Sequence, residues 1–213
     1  MTDVTPAIFT DDPEILNQQI AFLAPYVPWI QLDLSDGTMV PTATVMDMEK
    51  LKAILSEHKD TSFEAHLMVD NPVKYFKLLA DAGFKRIIAQ VECSDPRQFL
   101  DEAQLDSMEV GLALDGASEL DIIEPFLEMV DLVVIMTIEA GSPDAPFLPE
   151  SLEKMRSLRH HYPDLSIAAE GNIDEVKGKL LGEAGVSRLV VAADTLLRDP
   201  AQIASILEAL QGK

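Results

Sequence analysis

The chain has one cysteine, Cys93, in 213 residues, which excludes an internal disulfide framework and a cysteine-built zinc cluster. That usage fits a reducing compartment, and a lone thiol of this kind reads as a plain buried side chain. Basic residues are scarce too: 16 Lys and Arg stand against 37 Asp and Glu, a formal net charge of -21. A field of that sign repels phosphate backbones and anionic lipid, so nucleic acids and membrane surfaces are excluded as partners. The acidic excess serves solubility on predicted helix faces; adaptation to high salt is the other reading. No apolar run is long enough and free enough of charge to span a bilayer. The opening Met1-Thr-Asp-Val-Thr-Pro6 lacks the positive charge and apolar segment of a signal peptide, so the expected location is the cytoplasm. Also missing is a glycine-rich phosphate turn after the first apolar strand, which runs into Thr10-Asp-Asp-Pro13 instead, so no dinucleotide fingerprint is present.

What is present is a core-forming composition, 47% hydrophobic, enough to expect a single domain over 1–213. Apolar, β-branched runs recur at about 5–10, 29–34, 62–69, 86–92, 109–115, 130–138, 166–170 and 188–193, each followed by a turn and an amphipathic segment. Asp12-Pro13, Asn71-Pro72, Asp95-Pro96 and Asp199-Pro200 place a capping side chain before a proline at a helix start. Gly83 and Gly185 stand where helices end. Runs such as Leu132-Val-Val-Ile-Met136 are too continuously apolar for a half-exposed sheet. The expected fold is therefore one (β/α)8 TIM barrel, with an open doubly wound sheet as the alternative.

In such a barrel, side chains at the C-terminal strand ends form the site. In Trp29-Ile-Gln-Leu-Asp-Leu-Ser-Asp-Gly37 the polar residues Gln31, Asp33 and Ser35 alternate, so they share one face of a strand. The other strand ends contribute His66, Met68, Glu92, Asp115, Met136, Glu170 and Asp194. Asp33 and Glu170, from the second and seventh strands, would enter the barrel mouth from opposite sides, which suits two-sided acid-base work. Adjacent His160 and His161 point about 100° apart on a helix and read as helix-end cations, as does His58. Glu92 and Asp115 read either as shaping the mouth or as capping nearby amides. Arg188 and Arg198 read as surface charges, with a cationic grip on an anion as the alternative. Met39, Met68 and Met136 fit either core filling or a site floor.

Several of these stretches carry a resemblance. Asp36-Gly-Thr-Met-Val-Pro41, His66-Leu-Met-Val-Asp-Asn-Pro72, Met136-Thr137, Phe147 to Arg156 and Ala169-Glu-Gly-Asn-Ile173 resemble the ribulose-phosphate 3-epimerase family, collinearly over nearly the whole chain. The resemblance implies inversion of a carbon next to a ketone by proton transfer between two carboxylates, Asp33 and Glu170, through an enediolate. It also implies one divalent metal (Zn, Mn, Fe or Mg) held by Asp33, His66 and Glu170, with Gln31 as a weak fourth ligand, and a floor of Met68 and Met136. Substrate contacts are implied at Ala7, Ser35, Met68, Met136, Gly141, Gly171, Asn172, Ala193 and Asp194. The implied partner is a small sugar or sugar phosphate, and a homo-oligomer is compatible with the family.

The departures are consistent. Gln31 replaces a ligand histidine, Ser35 a methionine, Ala7 a serine, and Glu170 an aspartate. Glutamate keeps the acid-base group but extends it by one methylene, and such transfers tolerate shifts of only about 1 Å. A glutamine oxygen is a poorer zinc ligand than an imidazole, so metal binding is expected to be weakened or lost in favour of a hydrogen-bond network among the four residues. The expected lid, Gly141-Ser-Pro-Asp-Ala-Pro146, keeps one glycine and gains two prolines and a carboxylate. Asn172 replaces a glycine and can still turn left-handed. Ala193-Asp194 replaces a Gly-Ser pair, and Asp194 is expected to cap the short helix at Thr195-Leu-Leu197 with its own carboxylate, occupying the phosphate site. These changes predict altered or weakened turnover of ribulose 5-phosphate. The alternatives are an inactive barrel with a binding or regulatory role, or an epimerase of an unphosphorylated keto sugar.

Overall fold

Eight short apolar segments pair in chain order, all parallel, and the last closes onto the first. The computed structural model describes residues 2–106 and 108–212; Met1 and Lys213, the expected ends of the domain, lie outside the described residues. In order the elements are β1 (Asp3–Ile8), α1 (Pro13–Leu23), β2 (Trp29–Leu34), α2 (Met48–Glu57), β3 (Ser62–Leu67), α3 (Val73–Ala82), β4 (Arg86–Gln90), α4 (Pro96–Asp106) and β5 (Glu109–Leu114). Then follow β6 (Leu132–Met136), α5 (Glu150–His161), β7 (Ile167–Glu170), α6 (Glu175–Glu183), β8 (Arg188–Ala192), α7 (Ala193–Leu197) and α8 (Ile203–Leu210). This is the eight-stranded barrel expected from the sequence, not an open sheet.

The strands are apolar on both faces because both faces are covered. One set of side chains packs outward against the helices; the other, including Ile88, Leu132, Val134 and Val190, fills the barrel interior. Asp12 caps α1 by accepting from the Glu14 and Ile15 amides at 2.8 and 3.3 Å, and Asp95 accepts from the Gln98 amide at 2.8 Å. Gly83 closes α3 at φ +106°, a conformation a side chain would strain.

Three expectations about helices and their caps need correction. The strand β5 is followed by two 3-10 turns, Leu120–Ile122 and Glu124–Met129, rather than an α-helix; Pro125 lacks the amide a longer helix needs. Asn71 does not cap α3: the chain already turns helical at Pro72, with no side-chain bond to the helix start. Asp199 does cap, but the 3-10 turn Pro200–Gln202 and not α8 itself.

Arg188 is neither a surface charge nor an anion grip. It is buried at the N-terminal end of the barrel, donating to Glu64 Oε2 at 2.8 Å and to Thr5 Oγ1 at 2.8 Å. Arg86 reaches the same Glu64 oxygen at 2.7 Å, and both guanidinium groups lie over the Trp29 ring, at 4.5 and 5.6 Å from its centroid. One fully buried carboxylate thus holds two cations at the end remote from the mouth. Removing one partner of a buried pair leaves a charge without compensation. Glu64→Gln is therefore expected to lower unfolding stability by about 3–5 kcal/mol, measured by urea denaturation; a loss below about 1 kcal/mol, the range of exposed pairs, would show that the cluster is not holding the floor.

Candidate active site

The barrel register assembles the mouth. Pairing of β1 with β2 sets Ala7 beside Gln31, β2 with β3 sets Asp33 beside His66, and β6 with β7 sets Met136 beside Glu170. Because strand side chains alternate, each of these polar residues points inward while its neighbours feed the outer core. Residues from strands far apart in the chain therefore converge.

At the centre, the Gln31 side-chain nitrogen donates to Asp33 Oδ1 at 2.7 Å and to Glu170 Oε2 at 3.0 Å. The second oxygen of Glu170 lies 3.1 Å from His66 Nδ1, and Asp33 Oδ1 is 3.8 Å from the same nitrogen. Gln31 and His66 are wholly buried beneath the two carboxylates. Burial and the negative charge of Glu170 push Asp33 up to about 7, against the opposing pull of His66 and the Gln31 amide. For His66 burial works against the charged ring, but Glu170 and Asp33 outweigh it and push the imidazole up to about 9.

Asp33 and Glu170 open onto a cavity of about 350 Å³ that Ala7, Met68, Met136, Gly141, Gly171, Asn172, Ala193 and Asp194 also line. Ten of the sequence-derived positions thus share one cavity wall. Ser35 does not join them: it is fully buried, and its hydroxyl accepts from the Gly37 amide at 3.2 Å, bracing the turn after β2. Met39 lines a neighbouring cavity with Glu92 and Asp115. Glu92 accepts from the Asp115 amide at 2.9 Å and Asp115 from the Ala140 amide at 2.9 Å, so both cap backbone groups. His160 and His161 are at the end of α5, His161 Nδ1 lying 2.9 Å from the Ser157 carbonyl. Cys93 is a buried free thiol that burial pushes up to about 11.

The segment expected as a lid lines the cavity and packs against the loop after β2. Gly141 has φ +71°, and a Cβ there would come within 2.6 Å of Val40 Cβ, so only glycine fits. Asn172 does adopt the left-handed conformation, at φ +49°, and its side chain donates to the Ala145 carbonyl in the lid. Asp194 behaves differently from expectation. It is the second residue of α7, whose N-cap is Ala192 with no side-chain bond, and its Oδ1 accepts from Gln19 Nε2 at 2.9 Å. Being inside the first turn, its carboxylate leans to α1 rather than back over the helix amides, while still facing the cavity.

Sequence reasoning missed Gln19, Phe9, Ile138 and Thr195 on this wall, and Gln90 behind His66. Phe9 and Thr195 lie close to named positions, and Gln90 ends β4 two residues before Glu92, within the run expected as a strand, where the alternation that picked Gln31 and Asp33 would have found it. Nothing in the helix pattern of α1 marks Gln19.

Asp33, His66 and Glu170 each offer a ligand atom within 4.8 Å of the others. The side-chain oxygen of Gln31 is buried without a partner, an arrangement that costs free energy. Turned the other way, the amide would aim that oxygen at two carboxylates, which only a cation could offset. Two carboxylates, one imidazole and an amide oxygen are a donor set that fits a divalent ion.

The pattern that defines the Ribulose-phosphate 3 epimerase family matches residues 3–196. Among curated relatives, ribulose-phosphate 3-epimerase of Schizosaccharomyces pombe is 29% identical over 88% of this chain and 83% of its own length. That of Synechocystis is 32% identical over 73% of this chain and 69% of its own. In fold, 3-keto-L-gulonate-6-phosphate decarboxylase from Vibrio cholerae superposes with a TM-score of 0.76 at 13% identity, covering 99% of this chain and 96% of that one. With its sequence pattern, its relatives and its closed barrel in agreement, the chain belongs to the ribulose-phosphate 3-epimerase family.

Proposed function

We propose that the protein inverts a carbon next to the ketone of a keto sugar or sugar phosphate by proton transfer between Asp33 and Glu170, and that it turns over ribulose 5-phosphate only weakly. The observation that carries the reading is the pair of carboxylates on one cavity, joined through a single amide. One carboxylate removes the proton beside the carbonyl, leaving an enediolate, and the other, protonated, returns one to the opposite face. A carboxyl pushed up to about 7, as Asp33 is, holds both forms near neutrality and can serve as either partner. Met68 and Met136 give the floor low polarity, which strengthens every charge interaction above it. Asp33, His66 and Glu170 would hold a divalent ion, which when bound supplies positive charge against the enediolate oxygens. A cytoplasmic location fits the single buried thiol, and no helix of the described residues is long and apolar enough to cross a membrane.

Weak turnover of ribulose 5-phosphate is supported at two points. The longer Glu170 shifts a transfer that tolerates misplacement of only about 1 Å. Away from the carboxylate pair, the cavity is lined by two further acids, Asp144 and Asp194, and by no Lys or Arg among the described residues. The nearby cations are committed elsewhere: Lys177 to Asp174 at 3.1 Å and Arg198 to Glu175. A phosphate dianion would meet like charge there. The Gln31 bridge favours one second reading, a barrel that binds a sugar without converting it.

Incubation in deuterated water with Mn2+ or Zn2+, followed by NMR at carbon three of ribulose 5-phosphate, decides between these. Slow but measurable exchange is expected, reduced a further 10²–10⁴-fold, to order of magnitude, in Asp33→Asn and raised about 10–100-fold in Glu170→Asp. Fast exchange by the unaltered protein refutes weakened turnover, and no exchange in any variant supports the non-catalytic reading. Independently, the double substitution Asp144→Ser with Asp194→Ser is expected to lower KM for ribulose 5-phosphate on the order of tenfold, as removal of like charge requires. An unchanged KM would place the phosphate away from both acids.

A further inference from the structure

The side chain of Gln90, buried at the end of β4, has three polar neighbours: His66 Nε2 at 3.1 Å, Glu92 Oε2 at 3.0 Å and the Ala113 carbonyl at 3.1 Å. Two of these can only accept. The amide nitrogen must therefore face Glu92 and Ala113, donating to both, which turns the amide oxygen to His66 Nε2, where it accepts. Glu92 is itself fixed, since its other oxygen takes the Asp115 backbone amide at 2.9 Å. The remaining ring nitrogen, Nδ1, is the one that lies 3.1 Å from Glu170.

We propose that Gln90, anchored by Glu92, is a positioning residue: it pins a proton on His66 Nε2 and so reserves the Nδ1 lone pair for a divalent ion held with Asp33 and Glu170. In the ion-free site a carboxylate oxygen 3.1 Å from Nδ1 calls for a proton there as well, so Gln90 decides which proton an ion displaces: with Nε2–H held, the ring gives up Nδ1–H, whereas without Gln90 the ring can keep its Nδ1–H bond to Glu170 and leave the ligand set. The arrangement is the familiar requirement that the far nitrogen of a ligand histidine be committed to an acceptor, met here by an amide whose own orientation is dictated by a carboxylate. The inference rests on the epimerase reading only through the shared ligands Asp33, His66 and Glu170, and it concerns metal binding, so it fails or stands apart from exchange at carbon three.

The test uses the full chain and Zn2+ alone. In protein carrying 15N-labelled histidine, a long-range proton–nitrogen spectrum of the Zn2+ complex is expected to show His66 protonated at Nε2 and bare at Nδ1. Competition with a chromogenic chelator is expected to show Zn2+ affinity falling about 10–100-fold in Gln90→Met, a substitution that keeps the length of the side chain. Glu92→Gln, which frees the Gln90 amide to turn while leaving Gln90 in place, is expected to weaken binding in the same direction and to yield a mixed His66 proton signature; it serves if Gln90→Met does not fold. A proton on Nδ1 in the wild-type complex, unchanged affinity in the folded variants, or no Zn2+ binding by the wild-type protein would overturn the proposal.

Discussion

Two carboxylates cannot face one another in a dry pocket unless a donor or a cation lies between them. Here the donor is the amide nitrogen of Gln31, within 3.0 Å of an oxygen from each. Asp33 and Glu170 stand 137 positions apart in the chain, and without that bridge their mutual repulsion would work against the barrel register that brings β2 and β7 to the same mouth. The imidazole of His66 takes the other oxygen of Glu170, and Gln90, itself held by Glu92, takes the other side of the imidazole. The mouth is thus one connected polar network set on an apolar barrel, and each member is placed by a strand whose neighbouring residues are locked in the core. Such networks are costly when partly satisfied and rigid when complete.

The division of labour between the two ends of the barrel follows from the same strands. Residues at strand starts, Glu64 and Glu109 with Arg86 and Arg188, satisfy one another's charge, whereas those at strand ends leave oxygen atoms turned to the cavity. A barrel separates the two ends, because a substitution at a strand end alters the site without disturbing the packing layers below it.

The strands were legible because parallel strands covered on both faces must be apolar without interruption, and Leu132 to Met136 is such a run. Asp33, His66 and Glu170 were legible as positions, through alternation on β2 and through the family resemblance. What the chain did not disclose is which atom meets which. The orientation of the Gln31 amide depends on Glu170, and the burial of Arg188 on Glu64, partners more than a hundred residues away in both cases. Asp194 shows the limit at shorter range: two residues of difference in where α7 begins turn a capping carboxylate into one that leans to Gln19. Local capping signals share this weakness, since Asp12 and Asp95 cap their helices while Asn71, in the same Pro-containing pattern, does not.

The floor of the barrel bears on a different property of the reaction. Glu64 and its two guanidinium partners close the N-terminal end around Trp29, and Ile88, Leu132 and Val134 fill the barrel interior. In the proposed reaction, a proton taken at the mouth meets this apolar packing below it. It stays within the carboxylate network or leaves through the same opening by which the substrate entered. In that reaction the balance between direct return of that proton and its replacement from water is set by how far water reaches the carboxylate pair through the mouth, so solvent isotope incorporation becomes a readout of the depth of that opening as well as of chemistry.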